Sequence, residues 1–559
     1  MKPICGCSPA TVHAEMGALR RFLAIMLADL RERTRSSRFW VVLALVGAAT
    51  WWRIPALQTG WVAVSIDDTR GYYSSAWVGL SLGLMYSTML AWLGFYLVRG
   101  TLVRDFDTRV WQLLVTTPMT RPGYLLAKWA SHMVVFSVVM VLGLVVGVIA
   151  QWLRAEDRSL DVVELVKPIL VLSMPALAFT AFFAVLFDMV PQLRRTGGNV
   201  LFFFVWLLSF ALTSINMDPS HSEWAAQTWL SDASGMTLVQ RNLQDQLSLI
   251  APGLDAGTMT IGMSTLGEGA TLFTWNHWDV ALRDIGGRLL WVLASILGIL
   301  LLAPGLDRAA ARTSHQDVAA NQGGRRLAWL DRLLTPLEGT AATSLLSAEL
   351  RLVLRQRRWW WWLALGCAWI VQLFAPNDSA AIAAVVAWMI SLDILARGIL
   401  REKEGRTAAL LFTAAQSINR LLLARTVTAL AITWLAVFPL LLRLLLSAPE
   451  TAAILLLVAS NVALAGLAFG AICRSARPYE LLMAMLAYAG VQGLGPLAAF
   501  AVSGTMLMWQ LIALPALAAL LFLVWPSLNA NEATRLRIWR AGVRQATANE
   551  SEAAARRDA

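Results

Sequence analysis

Charge is scarce in this chain. Asp, Glu, Lys and Arg make up only 14% of its 559 residues, against 58% hydrophobic ones, where a soluble protein carries about a quarter charged. Cysteine is scarce too: Cys5, Cys7, Cys367 and Cys473 are the full set, and with these expected in the cytoplasm, in an apolar run or at its cytoplasmic end, no disulfide framework is implied. Cys5-x-Cys7 alone is too little for a metal site. The five histidines are scattered without a His-Glu-x-x-His pattern, and no Gly-x4-Gly-Lys-Ser/Thr loop offers a cradle for ATP phosphates. Met1 to Leu19 holds no long apolar run, so no cleavable signal peptide is expected. The net charge of +11 comes from basic residues that alternate with apolar stretches instead of forming one patch, which excludes a nucleic-acid reading.

What the chain has in abundance is apolar runs. A hydrocarbon core about 30 Å thick needs roughly 20 apolar residues per helix, and runs of that kind have cores at 39–56, 77–98, 130–150, 167–187, 199–215, 287–303, 359–375, 379–396, 426–447, 451–472, 480–503 and 505–525. They predict about twelve transmembrane helices. Lys and Arg stay on the cytoplasmic side, and about four-fifths of the 46 fall in alternate connecting segments if both termini are cytoplasmic. The opposite segments carry Glu156, Asp157, Asp161, Glu164, Asp218, Glu223, Asp232, Asp245, Asp255 and Asp279. The expected location is the cell (inner) membrane, with the chain multi-pass.

The sequence also repeats itself. At an offset of 320, Ala28-Asp29-Leu30-Arg31 falls on Ala348-Glu349-Leu350-Arg351, and Arg35, Arg38, Phe39 and Trp40 fall on Arg355, Arg358, Trp359 and Trp360. At an offset of 297, Arg104-Asp105-Phe106-Asp107-Thr108-Arg109 falls on Arg401-Glu402-Lys403-Glu404-Gly405-Arg406, and the register holds until Lys128 meets Arg425. The change of offset means that about 23 residues around Trp61 to Tyr73 have no second-half counterpart. Each half reads as a basic approach helix, two spans, a charged cytoplasmic loop and four more spans. Six spans return the chain to its starting side, so the expected fold is all-α, two parallel six-helix repeats. The expected domains are a first half, 1–304, a cytoplasmic linker, 305–340, a second half, 341–525, and a basic cytoplasmic tail, 526–559. The external segment 217–285 belongs to the first half alone, and Trp224, Trp229, Leu238 and Val239 with the helical character of Gln240 to Leu249 predict a partly helical cap.

Several other features have two readings. Gly79-Leu80-Ser81-Leu82-Gly83 matches a hydrolase pattern inside a span, a context without the strand that pattern needs; with Gly143/Gly147 and Gly466/Gly470 it serves better for close helix packing. His277 and Asp279 suit either a metal or proton site or a polar belt beside interfacial tryptophans. Asp188, Arg288 and Asp393 sit near span ends, where they are expected to reach water. Arg443 lies deeper and can snorkel or face a polar pathway. Asn199, Asn461 and Gln492 are candidate interhelical hydrogen-bond partners.

The segment from Val103 to Lys128, with Asp105, Asp107, Arg109, Leu113 and Leu114, then Thr117-Pro118-Met119-Thr120-Arg121 and Leu125-Leu126-Ala127-Lys128, resembles the ABC-2 type transporter permease family. Its second copy does too, with Glu402, Glu404, Gly405, Arg406, Leu410 and Leu411. Thr108 replaces the family's Gly and Ala415 its Pro. The resemblance implies the membrane subunit of an ATP-driven exporter. Its two loops would act as coupling helices on two copies of a cytoplasmic ATPase that binds ATP and Mg. An amphipathic or hydrophobic substrate would leave the cytoplasm or inner leaflet. No cofactor is expected in this chain. A short helix with paired leucines can equally lie on lipid headgroups, and a membrane-embedded lipid- or glycan-modifying enzyme or an ion-coupled carrier remains a competing class.

Overall fold

The computed structural model describes residues 9–35, 37–54, 61–66, 69–108, 110, 119–194, 196–216, 232–250, 259–265, 271–310, 331–332, 334–355, 357, 359–401, 417–491 and 507–525. The chain divides into two compact units at Gln316/Asp317. Both are mostly helical. Across the described residues, seven helices are long and apolar enough to cross a membrane, and a bent pair makes an eighth.

In the first unit, α1 (Pro9–Thr34) leads into α2 (Ser37–Arg53), and strands β1 (Trp61–Ile66) and β2 (Thr69–Gly71) follow. The central span starts with α3 (Ser75–Met85), where the Ser74 hydroxyl caps the Trp77 N–H. It runs through a π-helical turn, Tyr86–Leu90, into α4 (Ala91–Val98), then breaks at Gly100 before α5 (Thr101–Asp107). Gly100 has φ 91°, which favours glycine. Next come α6 (Arg121–Arg154), with Thr120 as N-cap and Pro122 in its first turn, and α7 (Val162–Pro168), capped by Asp161. Pro168 cannot donate into the helix, and a second π-helical turn, Ile169–Ser173, joins α7 to α8 (Met174–Met189). The unit ends with α9 (Thr196–Asn216), α10 (Met236–Ile250), strands β3 (Met259–Thr265) and β4 (Thr271–Phe273), and α11 (Leu282–Leu302).

Small residues set how closely these helices pack. A Cβ on Gly79 would come within 3 Å of the Leu165 carbonyl oxygen, and one on Gly83 within 3 Å of the Pro168 carbonyl oxygen, so α3 meets α7 backbone to backbone. A Cβ on Gly143 of α6 would collide with the Tyr86 hydroxyl. The packing reading of these glycines therefore holds.

The all-α expectation needs one correction. Strands β1 to β4 form a sheet in the order β3-β1-β2-β4, with β1 antiparallel to β2 and β3, and β2 parallel to β4. Val64 pairs with Ile261, and Arg70 with Leu272. A two-stranded hairpin is marginal in water, so 61–71 gains partners from the far end of the unit. The segment 217–285 thus contributes a helix, α10, as its pattern predicts, and two strands that the pattern does not disclose. Residues 217–231 lie outside the described set. The sheet docks on the start of α3, where the Trp77 ring meets Phe273 and Trp275 edge-on at 5.4 and 6.3 Å.

The second unit holds α12 (Ala341–Arg355), α13 (Trp359–Phe374), α14 (Asn377–Arg397), α15 (Ser417–Ala436), α16 (Phe438–Ser447), α17 (Pro449–Cys473), α18 (Arg477–Val491) and α19 (Leu507–Trp525). The run expected as one span at 426–447 is bent by 67° between α15 and α16. Pro439, in the first turn of α16, cannot donate to an upstream carbonyl, which frees backbone acceptors. Two side chains take them up: Trp369 Nε1 donates to Leu435 O at 3.1 Å and Gln372 Nε2 to Ala436 O at 3.0 Å. Apolar surroundings make such compensation necessary. Asn461 Nδ2 donates to the Gln510 backbone and side-chain oxygens, tying α17 to α19; Gln492 lies outside the described residues.

Candidate functional site

The first unit buries a charge cluster where α1, α5 and α6 meet. Asp29 and Lys128 retain 4% and 2% exposure, and Asp105 retains 6%. Lys128 Nζ donates to Asp29 Oδ1 and Oδ2 at 2.9 and 3.0 Å and lies 2.6 Å from Asp105 Oδ2. The Tyr124 hydroxyl, one helical turn before Lys128, donates to the same Asp105 oxygen at 2.6 Å. From α5, Arg104 reaches Asp29 at 3.4 Å and pairs with Glu32. Apolar side chains close around the cluster, among them Leu102, Phe106, Leu125 and Val185. Removing one member of such a buried set costs about 3–5 kcal/mol, because the others keep their desolvation penalty without a partner.

The second unit has the same arrangement. Glu349 of α12, 5% exposed, forms an ion pair with Arg401 at 2.9 Å and lies 3.6 Å from Arg425 Nε. These positions are Asp29, Arg104 and Lys128 displaced by 320, 297 and 297 residues. In both units the acid of the leading helix, α1 or α12, therefore lies beside a cation that follows α4 or α14 and a cation on α6 or α15. Arg425 is nearly fully buried, and its Cζ lies 5.8 Å from the Trp525 ring centre. These six residues are among those that carry the internal repeat in the sequence; their retained charge at fixed offsets marks them as related positions, and only the fold shows that they meet.

The expected coupling residues fall in three groups. Asp105 turns inward to Lys128 and Tyr124, so its carboxylate holds the start of the loop to the bundle. Asp107 is exposed at the end of α5. Arg109, Leu113, Leu114, Glu402, Glu404, Arg406, Leu410 and Leu411 lie outside the described residues. The half-buried Arg443 is bound within its own unit: it donates to Ala375 O at 2.6 Å and to Asn377 Oδ1 at 2.8 Å. It thereby caps the carbonyl end of α13, where a cation is favoured.

Two end-of-span charges expected to reach water are buried instead. Asp188 is fully inaccessible; it accepts from the Gly100 N–H at 2.9 Å and lies 3.6 Å from Arg99 Nε. Arg99 also donates to Asn199, whose carbonyl accepts the Tyr96 hydroxyl at 3.0 Å. Local helix geometry puts both charges near a span end, but the α4–α5 break folds the backbone over Asp188. Arg288, 3% exposed, donates to the Asp232 carbonyl. Asp393 is half-buried between Arg357 and Arg397, at 2.9 and 3.0 Å.

At the opposite end of α3, Arg70 grips Glu156 with two bonds at 2.6 and 3.0 Å, and the Tyr73 N–H adds a third at 3.0 Å. Burial pushes the Glu156 carboxyl up, but these hydrogen bonds and the Arg70 charge outweigh it and hold the group below its ordinary 4.5. His277 lies 2.7 Å from Glu164 and 3.1 Å from Asp279. No group of three or more potential metal ligands occurs among the described residues.

No protein-family model, curated protein or solved structure matches this chain.

Proposed function

We propose that this chain is the membrane subunit of an ATP-driven exporter of the ABC-2 permease type. In this reading it has twelve spans in two parallel six-helix halves, with both termini in the cytoplasm. Besides the seven long helices and the bent pair, α2, α9, α13 and α18 complete six per half. A helix of 16 residues such as α13 reaches about 24 Å, a shortfall that local bilayer thinning accommodates.

The observation that carries the proposal is the duplicated ion cluster. Asp29 with Arg104 and Lys128, and Glu349 with Arg401 and Arg425, each fasten an approach helix to the two ends of the loop between the second and third spans. A loop clamped at both ends to a buried charge moves with the span bundle. Force applied to it by a partner is then transmitted instead of being lost in slack backbone. Two such loops on one chain suit two copies of a cytoplasmic ATPase, which would bind ATP and Mg, while this chain provides the route for an amphipathic or hydrophobic compound.

Replacing Leu113 and Leu114 together by Asp tests the assignment. The expected result is loss of ATPase co-purification and of transport while the chain still inserts. Unchanged assembly and transport would place these leucines on the lipid surface and sink the coupling role. The mass of the intact complex tests stoichiometry, with one permease chain and two ATPase subunits expected.

A further inference from the structure

We infer that the outward face of α1 is a binding surface for anionic lipid headgroups. The inner face of α1 is occupied: Asp29 is in the buried cluster, and Arg33 donates to the Val98 carbonyl at 3.0 Å. The other side presents Arg20, Leu23, Ala24, Leu27, Ala28, Arg31 and Arg35, all exposed and spaced by three or four residues, the repeat of one helical stripe. Leu23 and Leu27 are 39% and 46% exposed. Apolar residues stand in the middle of the stripe and arginines at its ends, the distribution that seats a helix at a bilayer surface with its guanidinium groups among the headgroups.

The depth of α1 follows from the next helix. Only residues 35 and 36 separate α1 from α2, and Trp40, in the first turns of α2, is 55% exposed while its indole N–H donates to Thr34 O at 2.8 Å. Exposed tryptophans with a polar partner collect at the membrane–water boundary. The C-terminal end of α1 is therefore at that boundary, with Leu23 and Leu27 on the same stripe as Arg31 and Arg35.

Charge selects the lipid. Among the described residues no ion pair involves Arg20, Arg31 or Arg35, so three cations face outward without internal neutralisation. The second unit differs. Trp360, at the position of Trp40, is 44% exposed, but Arg355, at the position of Arg35, is paired with Asp331. Of these two equivalent arginines, only Arg35 is left to the bilayer. The proposal needs the chain to span a membrane and is independent of any ATPase.

Full-length protein in detergent is titrated with phosphatidylglycerol or phosphatidylcholine, and bound lipid is counted by native mass spectrometry. A cation near an anionic surface contributes on the order of a fivefold preference. The R20Q/R31Q/R35Q variant should lose most of the phosphatidylglycerol selectivity, the R20K/R31K/R35K variant should retain it, and R355Q should leave it unchanged. No preference for phosphatidylglycerol by the unaltered chain, or full preference in the glutamine variant, would overturn the assignment. Loss of a co-purifying protein with lipid selectivity intact would put a protein on this face, and would overturn it too.

Discussion

Lys128 on α6 donates to both carboxylate oxygens of Asp29 on α1, at 2.9 and 3.0 Å, across 99 positions of sequence. The pair is buried and shares Lys128 with Asp105, so it behaves as a unit in which each charge justifies the others.

Replacing Lys128 by Met should therefore be more harmful than removing its partners along with it. Lys128→Met leaves Asp29 and Asp105 only the more distant, partly exposed Arg104, at 3.4 and 3.6 Å, and should cost about 3–5 kcal/mol. Adding Asp29→Asn and Asp105→Asn to it should recover much of the loss. Thermal unfolding in detergent reads both. Equal destabilisation by the single and triple variants would show that the charges act independently.

The contact between the π-helical turn Tyr86–Leu90 and α6 predicts a steric rescue. Gly143→Ala would drive its methyl group into the Tyr86 hydroxyl, which lies 3.2 Å from the Thr50 hydroxyl. Overpacking of this kind costs about 1–3 kcal/mol. Tyr86→Phe in the same chain should return part of the stability by removing the colliding oxygen. A neutral Gly143→Ala substitution would mean that the two helices are not as close as described.

Glu156 predicts a pH dependence confined to the sheet. Its carboxyl is held below 4.5 in the folded chain, so its contribution is complete above the unfolded value and is lost as pH falls through the lower folded one. Amides of β1 and β2 should exchange faster with solvent once the pH drops well below 4.5, after correction for intrinsic rates. Glu156→Gln should abolish the difference between neutral and acidic pH. Protection of β1 and β2 that is independent of pH in the unaltered chain would refute the role given to this carboxylate.

For Arg443, the helix-capping geometry and a pathway role predict different outcomes. As a cap it should contribute about 1–2 kcal/mol, so Arg443→Gln should lower the unfolding midpoint modestly and leave transport per folded molecule unchanged. A transport defect at undiminished stability would restore the pathway reading.

Much of this protein was legible in one dimension because the bilayer imposes a length and a polarity on every helix that crosses it. Among the described residues, seven helices and the bent pair satisfy length and apolarity, each overlapping an expected apolar run, and the run 480–503 is described as helix only as far as Val491. The glycine spacings also predicted close packing, since a missing Cβ has one steric consequence wherever two helices meet. Charge retained at fixed offsets marked Asp29, Glu349, Lys128 and Arg425 as related positions. Pairing was another matter. No local pattern says that β1 will find β3 roughly 200 residues later, because non-local strand pairing is decided by which edges the folded helices bring together. Nor did Asp188 and Arg288 disclose their burial. Sequence places a charge along a helix axis, but only the neighbouring chain, here the break at Gly100 and the carbonyl of Asp232, decides whether water or protein satisfies it.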